Sequence, residues 1–132
     1  MTYKMITATR YFTPEEAHKT LPLVRKIVDD ILKTSREIRL LTEDKDGVIE
    51  SDPEVKKMVN DLNGFMAELE EIGCFYKDWN FSIGLVDFPA IIDGKEVFLC
   101  WRSDEENITF YHEADKGYAG RKPIPEKYFS HN

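Results

Sequence analysis

The chain has 132 residues, 42% hydrophobic and 33% charged, a size and balance that predict one domain needing no disulfide or metal to fold. A formal charge of −7 and a pI near 5.0 repel phosphate backbones and argue against general nucleic-acid binding. No stretch of about 18 consecutive apolar residues occurs, so no membrane span is expected.

Cys74 and Cys100 stand far apart and form no CxxC pair, and Met1–Arg10 is too polar for a signal peptide. Free thiols in a reducing, cytoplasmic setting follow as the expectation. Basic residues are interspersed with acids, as in Lys33-Thr34-Ser35-Arg36-Glu37, the pattern of a solvated helix face.

In chain order, Met1–Phe12 suits a short strand or an ordered arm, with Met5–Thr9 its β-leaning part. Thr13-Pro14-Glu15-Glu16 is a helix start with a capping box. Pro22 removes a backbone donor, which predicts a short first helix and a kink or restart there. From Leu23, the apolar residues Val24, Ile27, Val28, Ile31, Leu32, Ile38 and Leu41 make one stripe, weakened at Thr34 and Ser35. Acid–base neighbours four apart, such as Asp29 with Lys33, decorate its outer side.

Glu43–Gly47 is a polar turn, and Ser51-Asp52-Pro53-Glu54 repeats the start signal. Val55, Met58, Val59, Leu62, Phe65, Met66, Leu69 and Ile72 follow at helical spacing, with Gly73 as the C-cap. The methionines and Phe65 are expected in the core. Two facing stripes over about 14–73 predict an antiparallel helical hairpin.

Beyond Gly73 the period changes to two, and residues 74–132 are expected to form a small antiparallel β-meander and a C-terminal coil, giving an α+β fold. Leu85–Ile92 reads as a strand that Pro89 places at an edge or bulge. Asp93-Gly94 is a two-residue hairpin turn. Over Glu96–Arg102, Val97, Leu99 and Trp101 face one way; Phe98, Cys100 and Arg102 face the other. Ile108–Glu113 is the next strand, with Ile108, Phe110 and His112 on one face. The glycine- and proline-rich segment from Asp115 onward wraps as ordered coil.

Five groups of residues match a known family: Arg10-Tyr11-Phe12-Thr13 with Glu15-Glu16-Ala17; Gly84-Leu85-Val86-Asp87-Phe88-Pro89-Ala90; Leu99-Cys100-Trp101-Arg102; Tyr111-His112-Glu113; and Gly117-Tyr118-Ala119-Gly120-Arg121-Lys122-Pro123. On these the chain resembles an uncharacterised prokaryotic family, domain of unknown function 2203, in the family's order and over nearly its whole length. Tyr111 stands where the family pattern has tryptophan, which keeps an aromatic ring. The resemblance implies an architecture and a place for a site, and no reaction.

The sheet half gathers Lys77, Asp78, Asp87, Trp101, Arg102, His112, Glu113, Asp115 and Arg121. Asp87, between apolar neighbours, is either a structural salt bridge to Arg102 or Arg121, an exposed acid, or a general base or metal ligand. His112 is either a hydrogen-bonded core histidine or a proton-exchanging or metal-binding one. His112-Glu113-Ala114-Asp115 offers up to three metal ligands without the helical spacing of HExxH, so Asp87, His112 and Asp115 form a weak set for a divalent metal. Arg121, between glycines, either grips an anion or ties the C-terminal segment to the sheet. Cys100 reads as a small buried residue rather than a thiol nucleophile.

Three functions compete on these residues. One is a small homodimeric module binding a small anionic ligand or a protein partner through Asp78, Trp101, Arg102, Glu113 and Arg121. Another is metal-assisted or acid–base hydrolysis by Asp87 and His112. The third is an interaction protein pairing its hairpin with partner helices.

Overall fold

The computed structural model describes residues 8–43, 52–78 and 81–129. Most of the β-leaning Met5–Thr9 segment, the polar turn after Glu43 and Ser51 of the second start signal lie outside them.

Helix α1 spans Pro14–Glu43. Thr13 Oγ1 accepts from the Glu16 amide at 3.0 Å, and Glu16 Oε1 accepts from the Thr13 amide at 3.0 Å, closing the expected capping box. The expected break at Pro22 does not occur; α1 is continuous through it. Pro22 lies on the exposed side, where water can serve the His18 carbonyl that lost its helical donor. Buried Leu21, Val24, Ile27, Val28 and Ile31 anchor the helix on both sides of that point, and their packing outweighs the local penalty.

Helix α2 spans Pro53–Ile72, capped by Asp52, whose Oδ1 accepts from the Glu54 and Val55 amides at 2.8 and 3.4 Å. It ends at Gly73, held at φ 110° with its amide on the Leu69 and Glu70 carbonyls. Together the helices form the expected hairpin. Of the α2 stripe only Val55 and Leu69 are buried, and Met58, Leu62, Phe65 and Met66 are half-buried. Phe65 and Met66 therefore line the margin of the core, while Met58 is half-buried. The reason is layering: α1 supplies most of the helical core, and α2 forms the outer layer.

The sheet has five antiparallel strands in the order β1 (Phe75–Tyr76), β2 (Leu85–Ile92), β3 (Lys95–Arg102), β4 (Phe110–Glu113) and β5 (Lys122–Pro123). The hairpin turn between β2 and β3 places Asp93 at φ 53° and Gly94 at φ 79°, the two positive values of a type I′ turn. Strand β4 begins at Phe110, two residues later than the alternation predicts. Ile108 precedes it and turns into the helix-side core, so it does not share a face with His112.

Pro89 sits where β1 has already ended, because β1 pairs only with Val86 and Asp87. Its carbonyl instead accepts from the Phe12 amide at 2.7 Å. A residue in an antiparallel ladder turns its nitrogen and carbonyl to the same side, so the missing donor of Pro89 costs the β2–β3 ladder nothing. Residues 8–12 thus serve as the ordered arm, with Phe12 buried edge-on against Phe88 at 5.2 Å. No helix among the described residues is long and apolar enough to cross a membrane.

Candidate functional site on the far face of the sheet

The two central strands are buried on both sides. One face, with Val86, Phe88, Ala90, Val97, Leu99 and Trp101, joins the core shared with α1. The register sets the other. The two-residue turn pairs Asp87 with Cys100, and the β3–β4 register pairs Phe98 with His112 and Cys100 with Phe110. Side chains opposite one another share a face, so Asp87, Phe98, Cys100, Phe110 and His112 lie together away from the helices.

At their centre His112 Nε2 stands 3.1 Å from Asp87 Oδ2, and its Nδ1 stands 2.9 Å from the Glu113 carbonyl. Both residues are only 4% exposed. A carbonyl and a carboxylate are both acceptors, so the ring that makes both bonds is the doubly protonated imidazolium. Burial alone pushes the His112 pKa down. The bond to Asp87, the Asp87 charge and the Glu113 carbonyl together outweigh it and raise the pKa above the ordinary 6.5. Phe98 packs against the imidazole with ring centres 5.4 Å apart. Beside the pair, burial and then the Asp87 charge push the Cys100 thiol up to about 12, which keeps it neutral.

A cavity of about 280 Å³ opens over this group, lined by Lys77, Leu85, Asp87, Phe98, Cys100, His112, Ala114, Gly117 and Tyr118. Lys77 Nζ lies 5.8 Å above the Phe98 ring. With the Asp87–His112 pair neutral overall and the thiol protonated, Lys77 leaves the lining with one positive charge, in a chain of net −7. Asp87, Cys100 and His112 each offer one metal-binding atom, and these lie within 4.8 Å of one another.

The family model described as uncharacterized conserved protein (DUF2203) matches residues 10–124. The chain belongs to that family. No curated protein and no solved structure matches the chain.

In this DUF2203 chain the structure separates the remaining sequence candidates from the pair. Trp101 faces the helices, with its Nε1 donating to the Glu105 carbonyl at 3.0 Å and Arg25 over its ring at 5.1 Å. Arg121 is held between the Phe110 and Tyr118 rings, and its Nη2 donates to both Glu105 carboxylate oxygens at 2.7 and 2.8 Å. Arg102 donates to Asp104 at 2.6 and 2.9 Å and to the Tyr118 hydroxyl. Both guanidiniums therefore tie the β3–β4 turn and the C-terminal segment together, and the salt bridge expected between Asp87 and one of them is not made.

Asp78 is buried and organises its own loop, accepting from the Ser82 and Ile83 amides at 2.9 and 2.8 Å. Glu113 pairs with Lys122 at 3.1 Å and reaches the site only through its carbonyl. Asp115 is exposed and does not line the cavity. Cys100 takes the place in the donor set that sequence reasoning gave to Asp115. Its signal was available: counting outward from the Asp93–Gly94 turn puts Cys100 opposite Asp87.

Proposed function

We propose that the far-face cavity binds a small anionic molecule, held by Lys77 above a floor formed by the neutral Asp87–His112 pair. The observation that carries this reading is the buried, doubly hydrogen-bonded His112 at the floor of a cavity whose lining is net positive. A cavity of about 280 Å³ suits a compact carboxylate or phosphate and excludes a polymer. The anion-binding role expected of Arg102 and Arg121 passes to Lys77, because both arginines are engaged by acids.

The test is a titration of the metal-free protein with inorganic phosphate and with acetate, following the His112 ring signals by NMR. Saturable shifts, weakened about tenfold by Lys77→Ala, support the reading. Ring signals that stay fixed with both anions, or a Lys77→Ala variant binding as tightly as the wild type, refute it.

Acid–base hydrolysis by the same pair is the second reading, favoured by the hydrogen bond of 3.1 Å between Nε2 and Oδ2. A turnover abolished by Asp87→Asn and His112→Gln in folded protein would establish it. Self-association through the hairpin, whose exposed apolar residues include Leu40 (59%) and Val59 (39%), is read directly by sedimentation over a concentration range.

A further inference from the structure

The geometry points to a transition-metal site in which Asp87, Cys100 and His112 hold a zinc-type ion through a carboxylate oxygen, Sγ and Nε2. All three residues are buried, and their donor atoms already lie within 4.8 Å of one another. Tetrahedral zinc, with bonds of about 2.0–2.3 Å, sets neighbouring donors roughly 3.3–3.6 Å apart. Asp87 Oδ2 and His112 Nε2, at 3.1 Å, are already near that spacing.

The outer contacts have the form such a site needs. Nδ1 of His112 is committed to the Glu113 carbonyl at 2.9 Å, which fixes the ring and leaves Nε2 as the ligating nitrogen. The three ligands come from three strands, β2, β3 and β4, and so are held by ladder hydrogen bonds rather than by a loop. One thiolate, one imidazole and one carboxylate form a mixed S, N, O set. That set selects a borderline-soft ion and disfavours magnesium and calcium, which take oxygen ligands. Three protein ligands on the wall of a cavity leave a fourth position open to a small molecule.

Proton and charge balance support the assignment. Binding of a divalent ion releases the Cys100 thiol proton and the Nε2 proton. Two positive charges then meet one thiolate and one carboxylate, and the buried site remains neutral. This proposal goes beyond the anion reading and does not depend on it.

The experiment is a titration of the metal-stripped full chain with Co²⁺ under reducing, oxygen-free conditions. The expected result is saturation at one ion per chain, with a sulfur-to-cobalt charge-transfer band and the ligand-field bands of a tetrahedral ion. Cys100→Ala removes the charge-transfer band and weakens binding at least about 100-fold, whereas Cys74→Ala retains both. Lack of saturation at one ion overturns the proposal, as does a charge-transfer band that survives Cys100→Ala. X-ray absorption of the zinc-loaded wild type, which needs no variant to fold, should show one sulfur among nitrogen and oxygen neighbours; a sulfur-free shell overturns the proposal. Phosphate binding by metal-free protein has no need of the thiol, so either reading can fail alone.

Discussion

Replacing Asp87 by asparagine removes one charge from the buried pair while keeping its shape. In the wild type, His112 Nε2 donates to Oδ2 across 3.1 Å in a place only 4% exposed. Asparagine can still accept from the ring through its oxygen, but the charge-assisted part of a bond worth about 1.5–3 kcal/mol is lost. Its amide nitrogen brings two donors into a pocket where a carboxylate made none, at roughly 1–3 kcal/mol for a buried unsatisfied group. A net loss of about 2–3 kcal/mol follows, or about 6–15 °C in Tm at this chain length.

The pH dependence is the sharper reading. Because the folded His112 pKa is raised above 6.5, the pair's contribution is complete below that pH and is lost as pH rises through the folded value. In Asp87→Asn, burial is the strongest remaining influence on the ring, opposed only by the Glu113 carbonyl, and it takes the pKa below 6.5. That ring stabilises above the unfolded pKa and loses its contribution as pH falls. In metal-free protein, the Tm gap between wild type and variant should therefore be widest in mild acid and narrow toward alkaline pH. Histidine ring NMR gives both pKa values in the same samples. A His112 pKa unchanged by the substitution, or below 6.5 in the wild type, refutes the account of the pair.

Gly84→Ala would place a Cβ 2.3 Å from Cγ1 of fully buried Val28, so it should cost about 1–3 kcal/mol, with part recovered in the double variant with Val28→Ala by chemical denaturation. Both thiols are pushed up to about 12, so native alkylation by iodoacetamide near pH 8 should run more than about a thousandfold slower than in denatured chain; mass spectrometry reads the rates. Arg121→Ala breaks a largely buried ion pair and two ring contacts and should cost about 2–3 kcal/mol in a urea titration. Arg121→Lys should recover little of this, because an ammonium cannot stack as a planar guanidinium does.

The helical hairpin was legible because capping chemistry is local. Thr13 with Glu16, Asp52 before Pro53, and Gly73 at φ 110° act within a few residues of one another. The β2–β3 register was legible for the same reason, since Asp93–Gly94 fixes every pair outward to Asp87 and Cys100. Local rules failed where distant packing decides. Pro22 stays helical because a core on both sides holds it, and Ile108 leaves the strand to fill the helix-side core. The role of His112 depended on the β3–β4 register, which a turn of open length does not determine. Arg121 looked available for a ligand because its acid, Glu105, is identified as its partner only once the chain folds back, whereas Arg102 is held by Asp104 just two residues along.

Because β2 and β3 are joined by two residues and covered on both faces, their hairpin is the kernel of the molecule, and it carries Asp87 and Cys100 as opposite neighbours. Its contacts close short loops, the kind a chain forms early and gives up last. The two residues cannot part without unzipping the ladder that also holds Phe88 and Leu99 in the core. Slow amide hydrogen exchange in this hairpin would thus measure the lifetime of the site as well as that of the fold.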